Sequence, residues 1–227
     1  MKRFGMMCIS FATAAMLFTG CGALKGGLIG GAAAGALGAG IGALAGGGKG
    51  AAIGAAAGVA VGATAGALIG KKMEKQKAEL EAIEGADVET VTDTNGLDAL
   101  KVTFDSGILF ATNKSDLTAT SKASLDKFAI SLLQNPETDV TIYGHTDSTG
   151  SLEVNQRISL QRAQSVQNYL QGKGVEAGRI IKVEGKAYTE PVASNDTAEG
   201  RAANRRVEVY ISANKAMVEQ AEAGTLE

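Results

Sequence analysis

Residues 26–70 carry a small residue at every fourth position, and this repeat restricts the possible folds more than any other feature of the chain. Eleven of the twelve positions are glycine. Positions four apart on an α-helix advance by about 400°, so they form one shallow stripe along which helix backbones can approach closely. Glycine costs about 1 kcal/mol relative to alanine in a helix in water, whereas in lipid a helix is the simplest way to satisfy the backbone. The repeat positions are Gly26, Gly30, Ala34, Gly38, Gly42, Gly46, Gly50, Gly54, Gly58, Gly62, Gly66 and Gly70.

The repeat divides at a glycine-rich turn around Lys49. Residues 26–45 and 51–70 each contain 20 uncharged residues. As helices they would each span roughly 30 Å, about one hydrocarbon core. The pattern predicts a membrane-embedded helical hairpin over residues 26–70 that self-associates through its glycine stripe. A glycine/alanine spacer without fixed structure is the alternative, because the many alanines keep the hydrophobicity modest.

Residues 1–20 are typical of a secretion signal. Two basic residues precede an apolar run that is too short to span a bilayer, and small residues come directly before Cys21. This arrangement resembles the lipobox of bacterial lipoproteins, although Phe18 stands where that family prefers leucine. The resemblance implies cleavage before Cys21 and acylation of that cysteine, with residues 21–25 as the lipidated N-terminus. An ordinary signal followed by an accidental cysteine is the alternative.

Cysteine usage and charge exclude other classes of protein. Cys8 would be removed with the signal, so the mature chain would retain Cys21 alone and form no internal disulfide. Without the two basic residues of the signal, 20 basic residues face 24 acidic ones, a net charge of −4. This charge provides no electrostatic footprint for nucleic acid.

Residues 71–85 are rich in lysine and glutamate and predict a charged, solvated helical stalk. Residues 86–212 have the pattern of a globular domain. Asn95-Gly96 lies between two β-rich runs, which is a strong hairpin signal. Helices and strands alternate after it, which predicts an α/β (α+β) two-layer sandwich with a mixed sheet. Residues 213–227 are expected to be an acidic tail that is either a frayed helix or disordered.

The predicted helices and strands of this domain follow from hydrophobic periodicity and from turn residues. One helix begins near Thr118 or Thr120 and ends at Asn135, and a second covers about 151–171. Strands are predicted at 138–145, 180–184 and 206–211.

The most informative stretch is GHTDSTG at residues 144–150, where a strand ends in a polar loop that opens a helix. Asp147 lies in this loop. Asn155, Ser159 and Arg162 follow with spacing i, i+4 and i+7, so they share one helix face. A carboxylate binds an ammonium group, and a guanidinium binds a carboxylate with two hydrogen bonds. The pattern therefore predicts a site for a zwitterion.

This stretch and the later NRRVE at residues 204–208 resemble the OmpA-like C-terminal domain over residues 98–212. With the signal and the glycine zipper, the chain resembles the YiaD-type OmpA-family lipoproteins. The resemblance implies non-covalent binding of the peptide stem of peptidoglycan at the free amino-acid end of diaminopimelate. It also implies that Asp147 accepts the ligand ammonium and that Arg162 pairs with the ligand carboxylate.

Four further residues receive roles from the same resemblance. Thr149 and Asn155 are expected to complete the pocket, and Asn113 and Arg205 to line its rim. The chain departs from the family at Ala111, two residues before Asn113, where aspartate is frequent.

The other polar residues near the motif are expected to be structural. His145 is the only histidine, and it cannot form a metal site without further ligands, so we expect a structural hydrogen bond. Arg206 is expected to form a structural ion pair, and Phe110 and Tyr143 to belong to the core. No catalytic residue, metal site or cofactor is predicted.

The leading functional hypothesis is a non-enzymatic tether. Acyl chains and zipper helices hold the N-terminus in the outer membrane, and a periplasmic domain binds peptidoglycan. Gly22 follows the lipidated cysteine and favours the outer membrane, because the aspartate that retains lipoproteins in the inner membrane is absent. A homo-oligomer formed through the zipper would increase retention by avidity.

Three alternative functions were compared with the sequence. A wall hydrolase would need a nucleophile–histidine–acid arrangement, which the sequence lacks. An ion-channel subunit would need an acidic residue within 26–45 or 51–70, and both segments contain none. A glycine-zipper module for membrane stress or assembly, with the wall domain as a secondary anchor, is the third.

Overall fold

The computed structural model of the protein describes residues 61–110 and 114–226. The strands are β1 (Ala86–Thr92), β2 (Asp98–Asp105), β3 (Thr138–Gly144), β4 (Ile180–Gly185) and β5 (Arg206–Ala213). The helices are α1 (Ala63–Glu81), α2 (Ser106–Leu109), α3 (Ala119–Gln134), α4 (Leu152–Gly172), α5 (Ala198–Asn204) and α6 (Lys215–Glu222). A short 3₁₀ helix, Ala177–Arg179, precedes β4.

The five strands form one mixed sheet in the order β1-β2-β5-β3-β4. Only β3 and β4 pair in parallel, and α4 connects them as the crossover that a parallel pair requires. Helices α1, α3, α4 and α6 bury their apolar residues against one face of the sheet. The predicted fold class, a two-layer α/β (α+β) sandwich with a mixed sheet, is therefore confirmed.

Local signals account for the helix ends. The side chain of Thr118 accepts a hydrogen bond from the Ser121 N–H and caps α3, and Ser151 caps α4 in the same way through Val154. The hairpin predicted at Asn95-Gly96 joins β1 to β2, with Gly96 at φ 77°. Most predicted elements agree with the observed ones to within two residues.

Two glycines allow α4 to lie directly on the sheet. A Cβ on Gly144 would stand 2.0 Å from the carbonyl oxygen of Ser159, and a Cβ on Gly185 would stand 2.5 Å from the backbone nitrogen of Leu160. Because these two strand residues have no side chain, the polar face of α4 packs against the ends of β3 and β4. This contact brings Asn155 and Arg162 next to the loop that follows β3.

Helix α1 corrects the predicted boundary at residue 70 and the predicted solvated stalk. It crosses that boundary without a break and packs against β1, β2 and α6. Its buried stripe includes Ile69, Met73 and Leu80, and its charged residues lie on the other faces. A Cβ on Gly70 would stand 2.8 Å from the carboxylate of the exposed Asp98, so this repeat glycine lies beside the start of β2.

The remainder of the predicted membrane hairpin, residues 26–60, lies outside the described residues, as does Cys21. Across residues 61–110 and 114–226, no helix is both long and apolar enough to cross a membrane.

The predicted tail is corrected over residues 215–222, which form a helix that is ordered and packed and not frayed or disordered. Residues 215–222 form α6, in which Met217, Val218 and Ala221 are buried. Asn214 caps this helix by accepting a hydrogen bond from the Met217 N–H. Helix α1 provides the apolar surface that orders α6, and the sequence prediction had assigned that surface to solvent.

Candidate functional site

A cleft of about 730 Å³ opens at the edge of the sheet where β2 and β3 end and β5 begins. Register places these ends together, because Asp105 pairs with Arg206 and Gly144 pairs with Val207. Five of the six predicted ligand-binding residues line the cleft, and Asn113 lies outside the described residues. The lining is Ser106, Gly107, Phe110, Thr146, Asp147, Thr149, Gly150, Val154, Asn155, Ile158, Arg162 and Arg205.

Asp147 is held on both carboxylate oxygens. Its Oδ2 accepts a hydrogen bond from Nη1 of Arg205 at 2.7 Å, and its Oδ1 accepts one from the Thr149 N–H at 2.8 Å. Burial raises the pKa of the Asp147 carboxyl, but these hydrogen bonds and the charge of Arg205 lower it by more. The pKa therefore lies below its ordinary value. The carboxylate is therefore charged at neutral pH, with 12% of its side chain exposed.

The loop around Asp147 is shaped by Gly150 and Asn155. Gly150 has φ 90°, a backbone conformation that favours glycine. The side-chain amide of Asn155 donates hydrogen bonds to the carbonyl oxygens of Thr149 at 2.8 Å and Ser151 at 3.1 Å. Asn155 therefore lines the pocket and also fixes the loop that presents Asp147 and Thr149.

Arg162 lies on the buried face of α4, as its spacing from Asn155 and Ser159 predicts. Its Nε donates a hydrogen bond to the carbonyl oxygen of Lys114 at 3.1 Å, and its guanidinium carbon is 5.3 Å from the centre of the Phe110 ring. Burial lowers the pKa of Arg162, and the nearby charge of Arg205 lowers it further, while Asp147 acts in the opposite direction. An arginine remains protonated in proteins, so this group is a buried cation.

Three buried polar atoms that lack a hydrogen-bond partner within the described residues belong to side chains that line this cleft. They are Nη1 of Arg162, Oγ of Ser106 and Oγ1 of Thr146. Buried polar groups in native proteins are nearly always hydrogen-bonded, so a group of unpaired ones in a single cleft indicates that a ligand or water satisfies them. One of these groups is cationic and two are hydroxyls, which suits a carboxylate.

Part of this lining lies outside the predicted site. Ser106 follows β2 directly, and nothing in its local pattern indicates a site, because it enters the cleft only through the pairing of β2 with β5. Val154 and Ile158 form an apolar side of the cleft. Their spacing of four residues on α4, beside Asn155, is the signal from which they could have been identified.

A second polar network lies behind the cleft at the start of β5. Nε of Arg206 donates a hydrogen bond to Oε1 of Glu208 at 2.8 Å, and the hydroxyl of Tyr210 donates one to Oε2 at 2.9 Å. Nε2 of His145 stands 3.5 Å from Oε2. Burial raises the pKa of Glu208, but His145 and Arg206 together lower it well below its ordinary value. The structural ion pair predicted for Arg206 is confirmed.

Residues 109–205 match the sequence model of the OmpA family. The cell wall anchor of the T6SS from Pseudomonas aeruginosa superposes with a TM-score of 0.53 and 32% identity, over 63% of this chain and 97% of that one. The chain belongs to the OmpA family. The matched residues contain the cleft lining except Ser106 and Gly107, which come just before them.

Two curated relatives each match about half of the chain. The probable lipoprotein YiaD of Escherichia coli strain K12 is 38% identical over 122 residues, which are 54% of this chain and 55% of YiaD. The peptidoglycan-binding protein ArfA of Mycobacterium tuberculosis strain H37Rv is 42% identical over 105 residues, 46% of this chain and 32% of ArfA. The chain therefore spans about half of one relative and a third of the other.

Proposed function

We propose that this protein is a non-enzymatic lipoprotein that tethers the outer membrane to the cell wall, through a cleft that binds the free end of diaminopimelate in the peptidoglycan stem. The group of unpaired polar atoms on Arg162, Ser106 and Thr146 carries the proposal. An amino-acid end brings a carboxylate and an ammonium group, and the cleft has a guanidinium with an open donor beside a charged carboxylate.

In this proposal the ligand carboxylate binds Nη1 of Arg162 and accepts hydrogen bonds from the two hydroxyls. The ligand ammonium binds Asp147 from the exposed side of the cleft. Thr149, whose N–H holds Asp147, keeps the carboxylate in place. Asn113 is proposed for the rim on the family resemblance alone.

The names of the relatives support the same class of ligand and location. ArfA is a peptidoglycan-binding protein, the Pseudomonas aeruginosa structure is a cell wall anchor, and YiaD is a probable lipoprotein. We infer acylation at Cys21, a membrane segment within residues 26–60 and a periplasmic domain that begins with α1. Self-association through the glycine repeat is part of the proposal.

A sedimentation assay with purified diaminopimelate-type sacculi tests the proposal. The full-length protein in detergent is mixed with sacculi, and the bound fraction is measured after centrifugation. We expect native protein to sediment and Asp147→Ala and Arg162→Ala to remain mostly in solution. Arg157→Ala is the matched control, because Arg157 is an exposed arginine on the same helix and does not line the cleft.

Thermal unfolding of each variant distinguishes lost binding from lost folding. Folded Asp147→Ala and Arg162→Ala proteins that sediment as strongly as the native protein would contradict the proposed site. Release of soluble wall fragments during the incubation would contradict the non-enzymatic assignment.

A further inference from the structure

The carboxylate that should receive the ligand ammonium is already paired. Oδ2 of Asp147 binds Arg205 at 2.7 Å, and Oδ1 binds the Thr149 N–H. The buried polar atoms of the cleft that have no hydrogen-bond partner among the described residues lie instead on Arg162, Ser106 and Thr146. With two arginines and one aspartate on its walls, the cleft carries a net charge of +1. It therefore attracts an anion more strongly than an ammonium group.

The Arg205 side chain is placed so that it can change partners. Its backbone carbonyl accepts a hydrogen bond from the Ser106 N–H at 2.9 Å, which fixes the main chain at the rim. Its side chain is 39% exposed, and within the described part of the chain its side-chain hydrogen bond goes to Asp147. Rotation of the guanidinium therefore breaks that ion pair without disturbing the fold.

Ligands that carry different charges meet this ion pair differently. An ammonium without a carboxylate competes with Arg205 for Asp147 and adds a cation to a cleft that already carries a net charge of +1, with no anion to offset it. This is unfavourable in a partly desolvated site. A zwitterion supplies both ions, because its ammonium takes Asp147 and its carboxylate lies between Arg162 and Arg205. That carboxylate also relieves the repulsion by which Arg205 lowers the pKa of Arg162.

We propose that Arg205 determines specificity by excluding stem peptides whose free end carries an ammonium group alone. Such stems include the lysine type and diaminopimelate with an amidated free carboxylate. This inference rests on the proposed function, since it concerns the same cleft. Discrimination of this kind works through a competing interaction that the wrong ligand cannot replace.

The test compares three synthetic stem tetrapeptides by isothermal titration calorimetry with the full-length protein in detergent. The peptides differ only at the free end of residue three, which is zwitterionic, amidated, or lacks the amino group. We expect native protein to bind the zwitterion best, the peptide without the amino group more weakly, and the amidated peptide least. In Arg205→Ala, the ratio of the amidated Kd to the zwitterion Kd should fall about tenfold or more.

Two variants control this comparison. Arg205→Lys keeps the positive charge and should restore part of the discrimination, whereas Arg157→Ala should match the native protein. If Arg205→Ala weakens both peptides equally, the ratio stays unchanged and the inference is overturned, because Arg205 is then an ordinary contact or a structural residue. If native protein binds none of the three peptides, the proposed function itself fails.

Discussion

Gly144 lies against Ser159 so closely that a Cβ on the glycine would stand 2.0 Å from the serine carbonyl oxygen. This contact joins the end of β3 to the middle of α4. It sets the distance between the Asp147 loop, three residues after Gly144, and Arg162, three residues after Ser159. The position of the proposed site therefore depends on a backbone contact that neither ligand-binding residue makes.

Gly144→Ala should destabilise the domain by about 3 kcal/mol, because a methyl group must displace backbone atoms that cannot rotate away. Denaturant unfolding monitored by circular dichroism measures the change. Gly172→Ala is the matched control, since a Cβ there meets nothing within 4 Å, and its stability should change by less than about 1 kcal/mol. Equal stabilities for both variants would contradict the close packing of α4 on β3.

Thr146→Val should raise stability while it weakens retention on sacculi. The Thr146 hydroxyl is buried and has no hydrogen-bond partner among the described residues, so a methyl group of similar shape removes a desolvation penalty of about 1 kcal/mol. We expect a higher melting temperature. About tenfold more sacculi should be needed to reach the bound fraction of the native protein.

Thr138→Val provides the contrast for this prediction. The Thr138 hydroxyl donates a hydrogen bond to the carbonyl oxygen of Asn135 and accepts one from Arg179, so its loss should lower the melting temperature and leave retention unchanged. If both valine variants behave alike, the Thr146 hydroxyl is not kept for a ligand.

Glu208→Gln should remove much of the acid sensitivity of the fold. The pKa of Glu208 is lower in the folded protein than its ordinary value of 4.5, so the stability it contributes is fully present above pH 4.5. That contribution is lost as the pH falls below 4.5 towards the folded-state pKa. Unfolding free energies of native protein and Glu208→Gln, measured from pH 7 to pH 3, should differ most at pH 7 and converge on acidification.

The exposed Glu222, on α6, is the control for the pH series. Glu222→Gln should follow the native curve over the whole range, because this side chain lies on the surface. A constant difference between native protein and Glu208→Gln at every pH would contradict the assigned role of the buried carboxylate.

Met73→Ala should destabilise the domain by about 3 kcal/mol, because Met73 is fully buried between α1 and the rest of the fold. Thermal unfolding of the full-length protein measures the change, with the exposed Lys75→Ala as the control on the same helix. If both variants have the melting temperature of the native protein, α1 is a solvated stalk, as the charge pattern alone predicts.

Local signals predicted most of the domain. Asn95-Gly96 marks the hairpin, Thr118 and Ser151 cap their helices, and the spacing of Asn155 and Arg162 places both on one face of α4. Each of these depends on backbone conformation within a few residues, so one sequence is sufficient. The prediction failed at α1 for the opposite reason. Lysines and glutamates dominate its sequence, and its buried face can be recognised only when the strands and helix that pack against it are known.

The sequence by itself determined the class of fold, the order of the five strands with α3 and α4, and the charged groups of the proposed site, Asp147 and Arg162. Tertiary structure alone decided how those groups meet: Arg205 pairs with Asp147 across 58 residues of chain, and Ser106 reaches the cleft through strand pairing. Helix periodicity and capping act over a few residues, and a pattern can show them. An ion pair between distant residues depends on how the strands align, which no local pattern records.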